Sequence, residues 1–236
     1  MIDGPTLLAE ALAAGLEITD VVAAPGAPRE LLDRAASLGA VVHEVSPKGL
    51  EQGTDTQHPQ PVAAVARMPA DPPLGTPTLA LVAVGVNDPG NAGTLLRSAD
   101  AAGVDLVVFC DDSVDPYNPK CVRAAAGSLF RLPTIRAADA VAVLGSLRAA
   151  GVQTLGLVAR GGTAYDTVDY AVPSAVVVGS EAHGLPPTVE SLVDERVTIP
   201  MRGPIESLNV GMAGTIVCFE ALRQRRNRDK DSNSHE

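Results

Sequence analysis

The stretch IPMRGPIESLNVGMAGTIVCFEALRQ, Ile199 to Gln224, decides how the rest of the chain is read. Ile199-Pro200-Met201 ends a strand, because Pro cannot donate to a ladder. Arg202-Gly203-Pro204 turns the chain. Ser207 is expected as an N-cap, and Ala213 to Leu222 reads as an apolar helix rich in small residues. Between them, Ser207-Leu208-Asn209-Val210-Gly211 sets two hydrogen-bonding side chains two residues apart, where a buried helix opens. Taken alone, that pattern is a cap followed by a loop Asn.

Two other polar stretches change its meaning. VVVGSEAHGLPP, Val176 to Pro187, is a buried strand that runs into a Gly-bounded turn carrying Glu181. In open α/β sheets, ligands bind at such carboxyl ends. Glu181 either serves the dipole of a helix starting near Pro186 or is a site residue, and it is read as a site residue. NDPGNAGTLLRSADAAGV, Asn87 to Val104, follows a strand and opens a helix, where anions settle. It lacks G-x-G-x-x-G, and no Lys-Ser/Thr follows, so dinucleotide and P-loop readings fail. Asn91 can be an N-cap. Arg97 sits in the first turns of the helix, where a guanidinium suits a phosphate or a developing oxyanion. Its alternative is a surface pair with Asp100 or Asp88. Arg160-Gly161-Gly162 is a further loop at the same sheet edge, able to close over a ligand.

Around these stretches the chain alternates strand and helix. Thr6 to Ala14 is a helix ending at Gly15, Ile18 to Ala24 a strand, and Pro28 to Leu38 a helix ending at Gly39. Val41 to Val45 is a strand, Ser46 to Leu50 a short helix and Val62 to Ala66 a strand, giving a small α/β sandwich over residues 1–68. Residues 69–77 hold four prolines and a Gly and read as a stiff linker. Residues 78–226 follow as the second domain and 227–236 as a polar tail. In the second domain, Thr78 to Val84, Asp105 to Cys110, Val152 to Ala159, Ala175 to Val178 and Arg196 to Ile199 are apolar strands. Asn91 to Ala102, Pro119 to Ala126 and Asp139 to Ala150 are helices between them. Unbroken apolar strands alternating with helices predict a parallel sheet covered on both faces.

Composition bounds the rest. Of 236 residues, 46% are apolar but only 3% aromatic, with no Trp, so the core is built of Ala, Val and Leu. The net charge of -10 argues mildly against nucleic acid. The local distribution can override that sum, since Arg223, Arg225, Arg226, Arg228 and Lys230 cluster near the C-terminus, although the last few residues read as a solvated tail. Cys110, Cys121 and Cys218 have no paired spacing and read as small core residues in a reducing compartment. No metal-ligand spacing, signal peptide or membrane-length apolar run is present. The expectation is a soluble cytoplasmic protein without metal.

The three stretches, in this order, resemble the signature motifs of the SpoU/TrmH-type RNA 2'-O-ribose methyltransferases of the SPOUT class, over roughly Thr78 to Arg226. The first 68 residues, including HEVSPKGLE and HPQPVAAVAR, resemble the ribosomal-protein-L30e-like substrate-binding domain that precedes many such catalytic domains. Met1 begins almost on the first helix, so either the start is trimmed or the first strand of that domain is missing. The resemblance implies a parallel α/β domain with a C-terminal trefoil knot. It implies S-adenosyl-L-methionine bound at Leu157, Val158, Gly179, Ile199 and Leu208. Asn91, Arg97, Glu181, Ser207 and Asn209 match the polar active-site positions. The family tolerates other types at His183, which is read as a loop residue and not a base. Gly211 stands where many relatives carry Ser, and should loosen the loop. A homodimer is implied, with the small-residue helix suited to close packing. The function implied is methylation of a ribose 2'-hydroxyl in RNA, rRNA ahead of tRNA because of the first domain. A non-catalytic RNA-binding or assembly protein of the same fold is the rival from another class, and a nucleotide-dependent α/β enzyme lacks its phosphate motif.

Overall fold

The computed structural model describes residues 1–53, 60–203 and 206–233. His58, Pro204 and His235 lie outside them. The chain divides into two compact units, Met1–Ala70 and Asp71–Glu236.

Among the described residues, the first unit is a mixed four-stranded sheet with three helices. Its elements are β1 (Ile2–Asp3), α1 (Pro5–Ala13), β2 (Ile18–Ala23), α2 (Arg29–Ser37), β3 (Val41–Glu44), α3 (Pro47–Gly53) and β4 (Val62–Ala66). The sheet order is β1-β4-β2-β3, with only β2 and β3 parallel. The strand that sequence reading left out is β1. Two residues suffice for it, because Ile2 and Asp3 register against Ala64 and Ala63. The chain then turns at Gly4, whose φ of 98° frees it to place Pro5 at the start of α1. Leu8, Ala11, Val21, Ala35 and Val62 close the core of the unit.

The second unit carries β5 (Leu79–Val84), α4 (Pro89–Ala102), β6 (Leu106–Cys110), α5 (Pro119–Ala125), β7 (Thr134–Ala137), α6 (Ala140–Ala149), β8 (Gln153–Leu157), β9 (Thr163–Ala164), β10 (Ser174–Val178), α7 (Pro187–Glu190), β11 (Glu195–Thr198) and α8 (Val210–Asn233). Its seven strands are all parallel, in the order β7-β6-β5-β10-β8-β11-β9. Every residue of β5, β6 and β10 is buried. Alternate positions serve opposite faces. Leu79, Leu81 and Ala83 pack with α4, α5 and α8, whereas Ala80, Val82 and Val84 pack with α6 and α7. Two buried faces explain why these strands read as continuous apolar runs. β7 and β9 escaped the sequence reading, because Thr134–Ala137 is short and polar and Thr163–Ala164 has two residues. Within the expected linker, Asp71 pairs with Arg136 at 3.7 Å and Leu74 packs beneath the sheet.

Helix α8 corrects the expectation at both ends. It opens at Val210 and continues through the expected tail to Asn233. Arg225 is no solvated residue. Its guanidinium donates to the carbonyls of Tyr170, Thr78 and Val172 and to the Thr78 hydroxyl, at 2.6 to 3.1 Å. Gln224 adds a bond from the Tyr170 amide, at 2.9 Å, and one to the Val168 carbonyl. These bonds strap α8 to the segment before β10. Tyr170 itself is fully buried, and among the described residues its hydroxyl has no hydrogen-bond partner. Burial pushes its pKa up. Since an unmade buried bond costs about 1–3 kcal/mol, Tyr170→Phe should leave stability unchanged or raise it by about 1 kcal/mol. Urea unfolding checks this, and a clear loss of stability would reveal a hidden partner for the hydroxyl.

Candidate active site

Parallel strands place their carboxyl ends on one edge, and the loops leaving β8, β10 and β11 meet there around a cleft of about 590 Å³. That size suits a small-molecule cofactor. Leu157, Val158, Gly179, Ile199 and Leu208 all line it, together with Glu181 and Ser207. The cleft is apolar at its base, where Val178, Leu185 and Val197 are buried. It is charged at its wall, where Arg160 faces Glu206 at 3.3 Å and Arg196 faces Glu190 at 2.9 Å. Gly179 fits the cradle for a physical reason. A Cβ there would lie 2.1 Å from the Gly184 carbonyl carbon. The turn Ser180 to Gly184 folds back so tightly that no side chain fits beneath it. Gly162 is confined likewise, with the Arg196 carbonyl oxygen 2.6 Å from a Cβ built on it.

Three of the expected polar residues form one hydrogen-bonded chain. Asn91 donates from Nδ2 to Glu181 Oε1 at 2.6 Å, and Asn209 donates from Nδ2 to Asn91 Oδ1 at 2.8 Å. Asn209 Oδ1 then accepts from the amides of Gly211 and Met212, at 2.9 and 3.2 Å. The chain thus ties the cleft wall to the starts of α4 and α8. It also corrects two cap assignments. Asp88 caps α4, accepting the Asn91 amide at 2.8 Å, with Pro89 at the first helical position. Asn209, and not Ser207, caps α8, because its carbonyl oxygen reaches the free amides of the first turn. Ser207 stays exposed on the cleft wall. The Asp-Pro pair before α4 was the signal that could have found Asp88.

Arg97 stands apart. It is exposed on α4 outside the cleft lining. Among the described residues it makes no hydrogen bond or ion pair. Its expected surface partners are engaged elsewhere, Asp100 with Arg131 at 2.9 Å and Asp88 with the Asn91 amide. Its neighbours on α4, Thr94 and Ser98, face α8. A Cβ on Gly211 would lie 3.1 Å from Thr94, and Ser98 Oγ lies 2.6 Å from Thr215 Oγ1. Gly211 therefore brings two helices close and does not loosen a loop, since it lies inside α8. The three cysteines are free and buried, and burial pushes each thiol up to about 12. They take no part as nucleophiles at neutral pH. Among the described residues no cluster of side chains could hold a metal ion, and no helix is long and apolar enough to cross a membrane.

A doubly covered parallel sheet, a cofactor-sized cleft at its carboxyl edge and an adjoining polar chain define a cofactor-dependent α/β enzyme. Residues 78–219 match the SpoU rRNA Methylase family, and residues 1–72 match the RNA 2'-O ribose methyltransferase substrate-binding domain. The chain belongs to the SpoU family of S-adenosylmethionine-dependent RNA 2'-O-ribose methyltransferases. It is 32% identical over 209 residues to the Bacillus subtilis 23S rRNA (guanosine(2553)-2'-O)-methyltransferase RlmP, covering 86% of this chain and 84% of that one. It is 35% identical over 185 residues to the Streptomyces viridochromogenes 23S rRNA (uridine(2479)-2'-O)-methyltransferase, covering 75% of this chain and 64% of that one. Among solved structures it is similar to the SpoU methyltransferase AviRb from Streptomyces viridochromogenes in complex with AdoMet. The TM-score is 0.85 at 28% identity, over 95% of this chain and 89% of AviRb.

Proposed function

We propose that this protein methylates a ribose 2'-hydroxyl in 23S ribosomal RNA, acting in the cytoplasm as a homodimer. The observation that carries the reading is the chain Glu181–Asn91–Asn209, which couples the cleft to the helix that bears Arg97. The two relatives act on 23S rRNA at different bases, a guanosine and a uridine. The ribose is the part those reactions share, so the target base is set outside the catalytic group.

The residues fit the cofactor. Leu157, Ile199 and Leu208 offer apolar walls, and the side-chain-free backbone at Gly179 admits close approach of a ligand. S-adenosylmethionine, when bound there, supplies a methyl group on a sulfonium. The protein must then hold the 2'-oxygen in line and stabilise the charge that develops on it. Ser207 orients the ribose from the cleft wall. Asn209 holds the start of α8, and Glu181 fixes Asn91 and through it α4. Arg97, which has no partner among the described residues, takes the phosphate on the 3' side or the developing alkoxide. An arginine is a poor base at neutral pH, so its contribution is charge and position.

Two features support the homodimer. On α8, Met212 and Phe219 are exposed at 61% and 44%. Arg97 is exposed on α4, which packs against α8, and lies outside the cleft. A second copy laid on α8 covers the apolar residues and brings Arg97 to a shared site. The trefoil knot belongs to the same reading. Its support is that α8 follows β11 yet packs back on α4, the helix after β5.

The test is transfer of labelled methyl from S-adenosylmethionine to unmodified 23S rRNA, followed by mapping of 2'-O-methyl positions. Label at one ribose supports the proposal. Label in tRNA alone would move the substrate to tRNA. Binding of S-adenosylhomocysteine with no label in any RNA would favour a binding or assembly role.

A further inference from the structure

We propose that Arg202 is a substrate-positioning residue that holds a phosphate of the RNA backbone beside the target ribose. The inference rests on the methyltransferase reading above and adds a contact which that reading leaves unassigned. Many arginines of the second unit are committed to the protein itself. Arg136, Arg148, Arg160, Arg196 and Arg223 sit on carboxylates. Arg225 is bound to backbone carbonyls. Arg97, Arg202 and Arg226 differ, being exposed and without a hydrogen bond or ion pair among the described residues.

Its place in the chain sets Arg202 apart from Arg226. Arg202 lies in the loop between β11 and α8, and the same loop carries Ser207 and Asn209. Met201, Glu206, Ser207 and Leu208 line the cleft, whereas Arg202 is outside the lining. It therefore stands at the rim. The residue before it touches the cleft, and Gly203 after it turns the backbone with a φ of 97°. The carboxylate further along the loop is already taken, because Glu206 meets Arg160 at 3.3 Å. The end of the loop is pinned to the polar chain. Asn209 donates to Asn91 Oδ1 at 2.8 Å, which ties this loop to the start of α4. Arg226, by contrast, lies roughly 24 Å along α8 from Val210.

A guanidinium at the rim suits a phosphodiester. It stays charged, presents parallel N–H donors to the two non-bridging oxygens, and is more weakly hydrated than an ammonium. Such a contact fixes the strand without reading a base. That agrees with the two relatives, which act on a guanosine and a uridine. The amino-acid end of the cofactor also bears a carboxylate, but the cleft has its own arginines for it, Arg160 and Arg196. No bond forms or breaks at Arg202. Its work is to bring the ribose to the loop that bears Ser207 and Asn209.

The experiment measures the dissociation constant of unmodified 23S rRNA over a series of salt concentrations, for wild type, Arg202→Ala, Arg202→Lys and Arg226→Ala. The kcat and KM of methyl transfer are measured beside it. Titration with S-adenosylhomocysteine and melting temperature serve as folding controls. Arg202→Ala should weaken RNA binding about tenfold at low salt. The slope of log affinity against log salt should become shallower by about 0.7–0.9. The loss falls on KM for RNA more than on kcat, as for a contact made equally in the ground and transition states. Arg202→Lys keeps the slope, because the charge remains, but regains only part of the affinity, because an ammonium lacks the planar fork. Arg226→Ala keeps both affinity and slope. Wild-type affinity and slope in Arg202→Ala overturn the proposal. An equal loss in Arg226→Ala overturns it too, since both arginines would then belong to a diffuse positive field. A matching loss of S-adenosylhomocysteine affinity also overturns it, by placing Arg202 on the cofactor. A wild type that binds S-adenosylhomocysteine but methylates no RNA overturns the methyltransferase reading and the proposal with it, a result distinct from full methylation by a wild type whose variants show no change.

Discussion

Arg97→Ala should lower the single-turnover rate of methyl transfer by about 10²–10³-fold, with cofactor affinity and melting temperature unchanged. The split follows from where the side chain sits. Arg97 is exposed and holds no partner among the described residues, so truncation breaks no internal bond and opens no cavity. It lies outside the cleft lining, so S-adenosylhomocysteine should bind as before. On the proposed reading, what is lost is a positive charge beside the developing alkoxide or its phosphate. Arg97→Lys keeps the charge but not the planar fork, and should recover only part of the rate. Isothermal titration with S-adenosylhomocysteine beside the rate assay separates the outcomes. A matching loss of cofactor affinity would make Arg97 a structural residue of α4. An unchanged rate would remove it from the site.

The charge of the chain bears on the same point. A net -10 argues against an RNA partner when read as a sum. In the folded second unit the sum misleads, because many of the basic residues are neutralised locally. Arg131, Arg148, Arg196 and Arg223 sit on Asp100, Asp194, Glu190 and Glu220. Arg225 is spent on backbone carbonyls. An exposed arginine without a partner among the described residues, such as Arg97, then stands out against this background. Composition cannot show this, since pairing depends on which loops the sheet brings together.

The same distinction separates what was legible from what was not. Every long apolar strand of the second unit was readable, because a strand buried on both faces must be apolar at each position, as Leu79 to Val84 is. Helix stops were readable at Gly103 and Gly151, where a left-handed backbone, φ 73° and 77°, favours glycine. Short edge elements were not. β1 and β9 hold two residues each, and nothing periodic can appear in two residues. The hydrogen-bonded chain of Glu181, Asn91 and Asn209 was legible as a set of residue types but not as a geometry. Ser207 and Asn209 both make good caps, and only the fold decides that Asn209 takes the amides of Gly211 and Met212. The tail was misread because Arg228 looks solvated in sequence, whereas its acceptor is the Ala171 carbonyl, more than fifty residues away.

Gly179→Ala should abolish cofactor binding and destabilise the second unit, a large effect for one methyl group. The new Cβ would meet the Gly184 carbonyl carbon at 2.1 Å, and the Gly184 oxygen and Leu185 nitrogen at 2.3 Å each. All three are backbone atoms, so no side chain can swing aside. The Ser180 to Gly184 turn must lift, breaking the two backbone bonds that close it. Lifting it also moves Glu181 and His183 out of the cleft wall. Overpacking of this kind costs about 1–3 kcal/mol, which lowers the melting temperature by about 2–4 °C for each kcal/mol in a chain this long. S-adenosylhomocysteine at a hundred times its dissociation constant should stabilise the wild type by about 2.7 kcal/mol and the variant hardly at all. Gly145→Ala is the matched control. No atom lies within 4 Å of a Cβ built there, and its place inside α6 predicts a gain of about 0.5–1 kcal/mol from the better helix former. If Gly179→Ala kept its ligand-induced shift in melting, the cleft would not be the cofactor site. If both variants lost it, the turn at Gly179 would have no special part in holding the ligand.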